Sequence, residues 1–223
     1  AALCSTAPFA PCGVSPACRR AQISARSDSG SRHAARWPGS DASAASGGTA
    51  NVVVDNRLVR GGGGVTVVFH TSLTCSQNRV EDMRHWGILS LVGFAKCALT
   101  ENRVLSCGYQ QVPSIGIGAS LQIGELCVES CEVMNTGVSP DNTTVSSLSW
   151  GIVADLILEA RVQSNLVTYA NAALLDANQE HRALWMRGWW EQVITLGAGQ
   201  VIFGFSAQIL DNKFLGPGRS ALI

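Results

Sequence analysis

Beyond Asn51 apolar side chains recur at every second position. Val65, Val67, Phe69, Thr71 and Leu73 alternate with Thr66, Val68, His70, Ser72 and Thr74, the period of a strand with one buried face. Residues 86–97 and 103–110 read as further strands around a turn at Thr100-Glu-Asn102. Residues 115–128 read as another, with Gly116, Gly118 and Gly124 at bulges or close approaches. Ile152, Ala154, Leu156, Leu158, Ala160 and Val162 fall on one face, and Val153, Asp155, Ile157, Glu159, Arg161 and Gln163 on the other. Gly197-Ala198-Gly199 reads as the turn of a hairpin joining 184–196 to 200–210. Residues 78–84 read as one helical turn, and no internal repeat is evident. Eight or nine strands at this spacing predict an all-β domain, an antiparallel two-sheet β-sandwich.

Charge divides the chain in two. Residues 1–50 hold Arg19, Arg20, Arg26, Arg32 and Arg36 against Asp28 and Asp41, a net charge of +3 within a total of zero. Thirteen Ala and nine Ser fill that segment, too little apolar area to offset its ordering entropy. It reads as an N-terminal arm (1–50) ahead of a globular domain (51–223), with an Arg- and Ser-rich composition that also suits a transit peptide. Only 14% of residues are charged, against about 25% in a typical soluble domain. No run of about 18 apolar residues offers a membrane helix. The expectation is a subunit that hides its flanks against other protein.

Reactive chemistry is sparse. The eight cysteines are too spread for a stapled scaffold, no C-x-x-C occurs, and His33, His70, His85 and His181 are scattered. Residues 61–64 are all glycine but lack the Lys-Ser/Thr of a phosphate loop, and no G-x-S-x-G elbow is present. The pairs Asp155/Glu159 and Glu129/Glu132 read as solvated or interface positions. No catalytic residue, cofactor site or metal site is assigned. Trp185 and Trp189 read as interface packing, with base stacking as the sharper alternative. The five arginines of the arm read as contacts to RNA or to neighbouring subunits.

Two stretches resemble a known family. The first is Trp86-Gly87-Ile-Leu-Ser-Leu-Val-Gly-Phe94 followed by Arg103-Val-Leu-Ser-Cys-Gly-Tyr109 and Pro113; the second is Gly188-Trp-Trp-Glu-Gln-Val-Ile-Thr-Leu196, the Gly-Ala-Gly turn, residues 201–210 and Asp211-Asn-Lys-Phe-Leu-Gly-Pro-Gly218. Together they are similar to strands of picornavirus-like coat proteins, in particular the small coat protein of comoviruses and their plant relatives (Secoviridae). The resemblance implies an antiparallel eight-stranded jelly-roll β-sandwich with an extended N-terminal arm. It implies a structural, non-enzymatic capsid subunit cut from a polyprotein. Its partners would be a large coat protein, copies of itself around a five-fold axis and genomic single-stranded RNA, with no membrane. The place of action would be the virion, and the host cytoplasm during assembly. Two other classes fit the composition: a trimeric binding module of the tumour-necrosis-factor type, and an accessory subunit of an organellar complex.

Overall fold

The computed structural model describes residues 36–38, 48–169, 180–188, 192–196, 199–203 and 205–216. These residues form sixteen strands and no helix. The antiparallel jelly roll expected from the sequence is not the fold. Every pairing in the two large sheets is parallel, and the one antiparallel strand pair among the described residues is β13 (Gln192–Leu196) with β14 (Gly199–Phe203). The chain is a parallel β-helix, a solenoid in which each coil stacks on the one before it.

Six coils are present. They consist of β2 (Gly48–Val54) with β3 (Arg57–Gly61), β4 (Val65–Ser76) with β5 (Arg79–Met83), β6 (Trp86–Thr100) with β7 (Arg103–Cys107), β8 (Ser114–Glu129) with β9 (Glu132–Met134), β10 (Leu148–Gln163) with β11 (Leu166–Thr168), and β12 (Glu180–Gly188) with β15 (Ser206–Leu210) and β16 (Lys213–Leu215). The short β1 (Arg36–Pro38) pairs with β3; with the start of β2 it lies inside the first fifty residues. The expected helical turn at 78–84 is strand β5.

The long strands bend halfway. In β4, β6, β8 and β10 the bend coincides with Phe69, Val92, Leu121 and Leu156, whose φ angles of 53–58° are left-handed. Strand β12 pairs with β10 before the bend and β15 pairs with it after, while β2 pairs only with the later half of β4. Each complete coil therefore has three faces: face 1 before the bend, face 2 after it, and face 3 formed by the short strands β3, β5, β7, β9, β11 and β16.

The interior is a set of columns, one residue per coil, about 4.8 Å apart. Val65, Ile88, Ile117, Ile152 and Leu184 are in register on face 1. Cys75, Leu99, Val128, Val162 and Ile209 are in register on face 2, and Leu58, Val80, Val104, Val133, Val167 and Phe214 on face 3. Nearly all of these are buried.

Faces 2 and 3 meet at a two-residue turn. Its first residue is left-handed in every coil: Asp55, Gln77, Glu101, Ser130, Ser164 and Asp211. Its second is Asn56, Asn78, Asn102, Cys131, Asn165 and Asn212, and the asparagine side chains bond from coil to coil inside the solenoid. These turns begin a six-fold pattern, exemplified by Asp-Asn-Arg-Leu58, Gln-Asn-Arg-Val80, Glu-Asn-Arg-Val104 and Asp-Asn-Lys-Phe214. The repeat that the sequence conceals is this one.

Candidate functional site: the corner between faces 1 and 2

A left-handed residue at a corner points its side chain away from the coil. At the corner between faces 2 and 3 all six such residues are polar and exposed. At the corner between faces 1 and 2 the same backbone geometry carries Phe69, Val92, Leu121 and Leu156. Bulky L-residues disfavour this conformation, so four in a row mark a position where the side chain, not the backbone, is being specified.

The bend also breaks the alternation. Before it, Ile152 and Ala154 point inward; after it, Ile157, Ala160 and Val162 do. Leu156 and Leu158, expected on the buried face, are only half-buried, while Ile157, expected opposite, has no exposure. The same shift sends Phe69 out and His70 in. A second outward column follows one step later: Thr71, Phe94, Ile123, Leu158 and Phe205. Phe69 is 60% exposed, Phe94 51%, Ile123 46% and Phe205 42%.

These two columns form an apolar stripe along coils 2 to 6, with no ionisable side chain in either. The area is on the order of 500 Å², at the upper end of what a monomer usually shows water. On the face 2 side it is bordered by a column of polar residues in register, Ser72, Lys96, Glu125, Glu159 and Ser206. Lys96 Nζ lies 3.7 Å from Glu125 Oε2. A polar cleft of about 170 Å³ is lined by Glu125, Glu159, Ala160, Arg161, Ser206 and Gln208. In coil 6 the β13–β14 hairpin lies in the chain between β12 and β15, which pair with β10 before and after this corner.

Of the residues singled out in the sequence, Arg19, Arg20, Arg26, Arg32 and Trp189 lie outside the described residues. Arg36 begins β1, in register with Arg57. Trp185 is on face 1 and stacks within the chain: its ring lies 4.9 Å from that of Trp150 with 5° between planes, and the Arg187 guanidinium sits 5.4 Å over it. Arg187 is held by both oxygens of Asp155, at 2.6 and 3.0 Å, which raises its pKa. The Trp185 ring thus has two neighbours within the chain. On face 3, Arg57, Arg79 and Arg103 stand in register, but Glu81 pairs with the first two and Glu132 with the third at 3.0 Å. Each arginine of that ladder has a carboxylate partner, two of them sharing Glu81.

Among the described residues there are two serine–histidine contacts, both sealed inside. His70 Nε2 lies 2.7 Å from Ser90 Oγ, which also accepts from Gln122 at 3.3 Å. Ser149 Oγ meets His181 Nδ1, with the Tyr169 hydroxyl 3.5 Å from Ser149. His70 and Ser149 have no exposure. Burial lowers the pKa of both histidines and pushes Tyr169 up to about 12. Cys75, Cys97, Cys107, Cys127 and Cys131 are buried free thiols. Among the described residues no three His, Cys, Asp or Glu side chains form a metal-binding group, and no helix is long and apolar enough to cross a membrane.

Sequence reasoning missed the stripe because it extended one alternation through each long strand. Phe69, Val92, Leu121 and Leu156 stand nine or ten positions before Asn78, Asn102, Cys131 and Asn165, but Cys131-Glu132 and Asn165-Leu166 do not repeat the Asn-Arg signature that would have aligned the coils. The chain matches no family model, no curated protein and no solved structure.

Proposed function

We propose that this chain is a non-catalytic structural protein that associates laterally with copies of itself through the apolar corner between faces 1 and 2. The observation that carries the reading is the contrast between two corners that are both built on left-handed residues. One holds Asp, Gln, Glu, Ser, Ser and Asp; the other holds Phe, Val, Leu and Leu. Water at both corners would favour polar residues at both. The low charged fraction of the chain, 14%, supports the same reading, as does the enclosure of its serine–histidine pairs beyond the reach of a substrate.

The narrower expectation of a small coat protein, with a large coat partner and enclosed RNA, rests on a jelly roll that the chain does not form. Of the two stretches that resemble coat-protein strands, the first supplies β6 and β7 of coil 3, and the described part of the second holds the β13–β14 hairpin, β15 and β16 of coil 6. The proposal keeps the class of function, assembly, and leaves the icosahedral shell aside.

Sedimentation of the full chain across a concentration series tests it. The wild type sediments as a multiple of 23.5 kDa. The triple variant Phe69→Ser/Phe94→Ser/Phe205→Ser sediments as a monomer with an unchanged far-ultraviolet circular dichroism spectrum. A wild type that stays monomeric at every concentration overturns the proposal.

A further inference from the structure

We infer that the second copy lies antiparallel on the stripe, related by a two-fold axis that passes beside Ile123 in coil 4. This inference rests on the lateral association proposed above and names its geometry.

The stripe is a ladder with one rung per coil, about 4.8 Å apart. Another ladder of the same spacing meets it rung for rung, as a surface of different period does not. A two-fold axis lying in the interface makes such a contact closed and self-complementary. Two orientations satisfy this. In the parallel one, face 2 of one copy lies along face 1 of the other with equal coils opposite. In the antiparallel one, face 2 lies along face 2, coil 3 opposite coil 5 and coil 2 opposite coil 6.

Charge separates them. The parallel orientation sets Lys96 of coil 3 level with Leu91 of face 1, and Glu159 of coil 5 level with Asp155, whose charge Arg187 already opposes at 2.6 and 3.0 Å, so no new ion pair forms. The antiparallel orientation sets Lys96 of coil 3 opposite Glu159 of coil 5, and the pair occurs twice. Both side chains are exposed beside the stripe. Glu125, on the two-fold level, meets its own counterpart with its charge already opposed by Lys96 in the same chain at 3.7 Å. Apolar side chains match as well: Phe94 of coil 3 falls opposite Leu158 of coil 5 on both sides of the axis, and Ile123 faces its own counterpart. The stripe of on the order of 500 Å² fits the apolar centre of an interface of about 800 Å² per partner.

Complementary charge reversal tests the orientation. Lys96→Glu alone sets a carboxylate against Glu159 twice, and Glu159→Lys alone sets an ammonium against Lys96 twice; each variant associates about tenfold more weakly than the wild type. An equimolar mixture of the two restores wild-type affinity, because both contacts then join opposite charges. A control mixture, Arg84→Glu with Glu101→Lys, changes the same net charges away from the stripe and forms no favoured mixed dimer. Restoration in the first mixture alone is the expected result. A mixture that stays weak, or a control that pairs equally well, overturns the antiparallel arrangement. If in either case the wild type still dimerises and the triple stripe variant does not, lateral association stands without it.

Discussion

The Oδ1 atom of Asn102 accepts two hydrogen bonds from Asn78 in the coil before it, one from the backbone N–H and one from the side-chain amide, each at 3.0 Å. Asn78 serves Asn56 in the same way, at 3.1 and 2.8 Å, and Asn165 is served by Asn212 at 3.0 and 2.9 Å. The remaining amide protons satisfy carbonyls inside the turn: Asn78 reaches Val53 and Ser76, Asn102 reaches Cys75, and Asn212 reaches Val162.

Removing a middle rung leaves buried donors and acceptors unpaired on both sides. Asn78→Ala is expected to lower stability by about 2–4 kcal/mol, read as a fall in the urea midpoint. Cys131 interrupts the ladder, offering only its sulfur, 3.9 Å from the Asn102 amide. Cys131→Asn completes it and is expected to raise stability by about 1 kcal/mol.

Acid weakens the fold through its buried histidines. The folded-state pKa of His70 lies below 6.5 because burial penalises the cation. The unfolded chain therefore binds this proton first. The stabilisation is complete above pH 6.5 and is lost as pH falls from there towards the lowered folded value. His181 is shifted in the same direction by the same cause. Urea midpoints measured from pH 8 to pH 5 should fall below pH 6.5, and His70→Gln should remove about half of that dependence.

Close approach of coils at the corner between faces 3 and 1 depends on glycine. A Cβ on Gly87 would collide with the carbonyl oxygen of Gly116, and one on Gly116 or Gly151 would come within 2.6 Å of the Gly151 oxygen or 2.7 Å of the Ala183 oxygen. Gly87→Ala is expected to cost about 3 kcal/mol or more, since backbone must move. Gly118→Ala meets only the ends of Ile115 and Leu89, at 3.0 Å, and should cost about 1 kcal/mol. Thermal melts of the two variants check the contrast.

The interior thiols should be inert. Burial pushes Cys97 and Cys107 up to about 12 and Cys131 up to about 11, and the thiolate is the reactive form. Alkylation of the native chain at pH 8, mapped by mass spectrometry, should leave these three unmodified, with full modification in urea.

Strand positions were legible because alternation reports burial directly: β4, β6, β7, β8 and β10 fall where the pattern puts them. Strand direction was not. Residues 78–84 read as one helical turn, yet 77–78 carry the chain from face 2 to face 3 and 79–83 form β5, so β4 and β5 lie in different sheets. The partners of β4 in its own sheet are β2 and β6, a full coil before and a full coil after. The repeat was hidden by its irregular length: successive turn residues are separated by 22, 24, 29, 34 and 47 positions. The stripe was hidden because hydrophobic residues in a strand pattern were assigned inward, and a left-handed bend at Leu156 turns two of them out.

The last separation also holds residues 189–204, between β12 and β15; much of the remaining spread comes from the links that close one coil and open the next. They run from residues 84–85, through 108–113 and 135–147, to 169–179, yet the Val80, Val104, Val133 and Val167 column stays in register across them. Length added at that edge is absorbed without disturbing the layers above or below. A short foreign segment spliced into residues 140–144, where the side chains are exposed, would be displayed to solvent while the spiral beneath it kept its pitch.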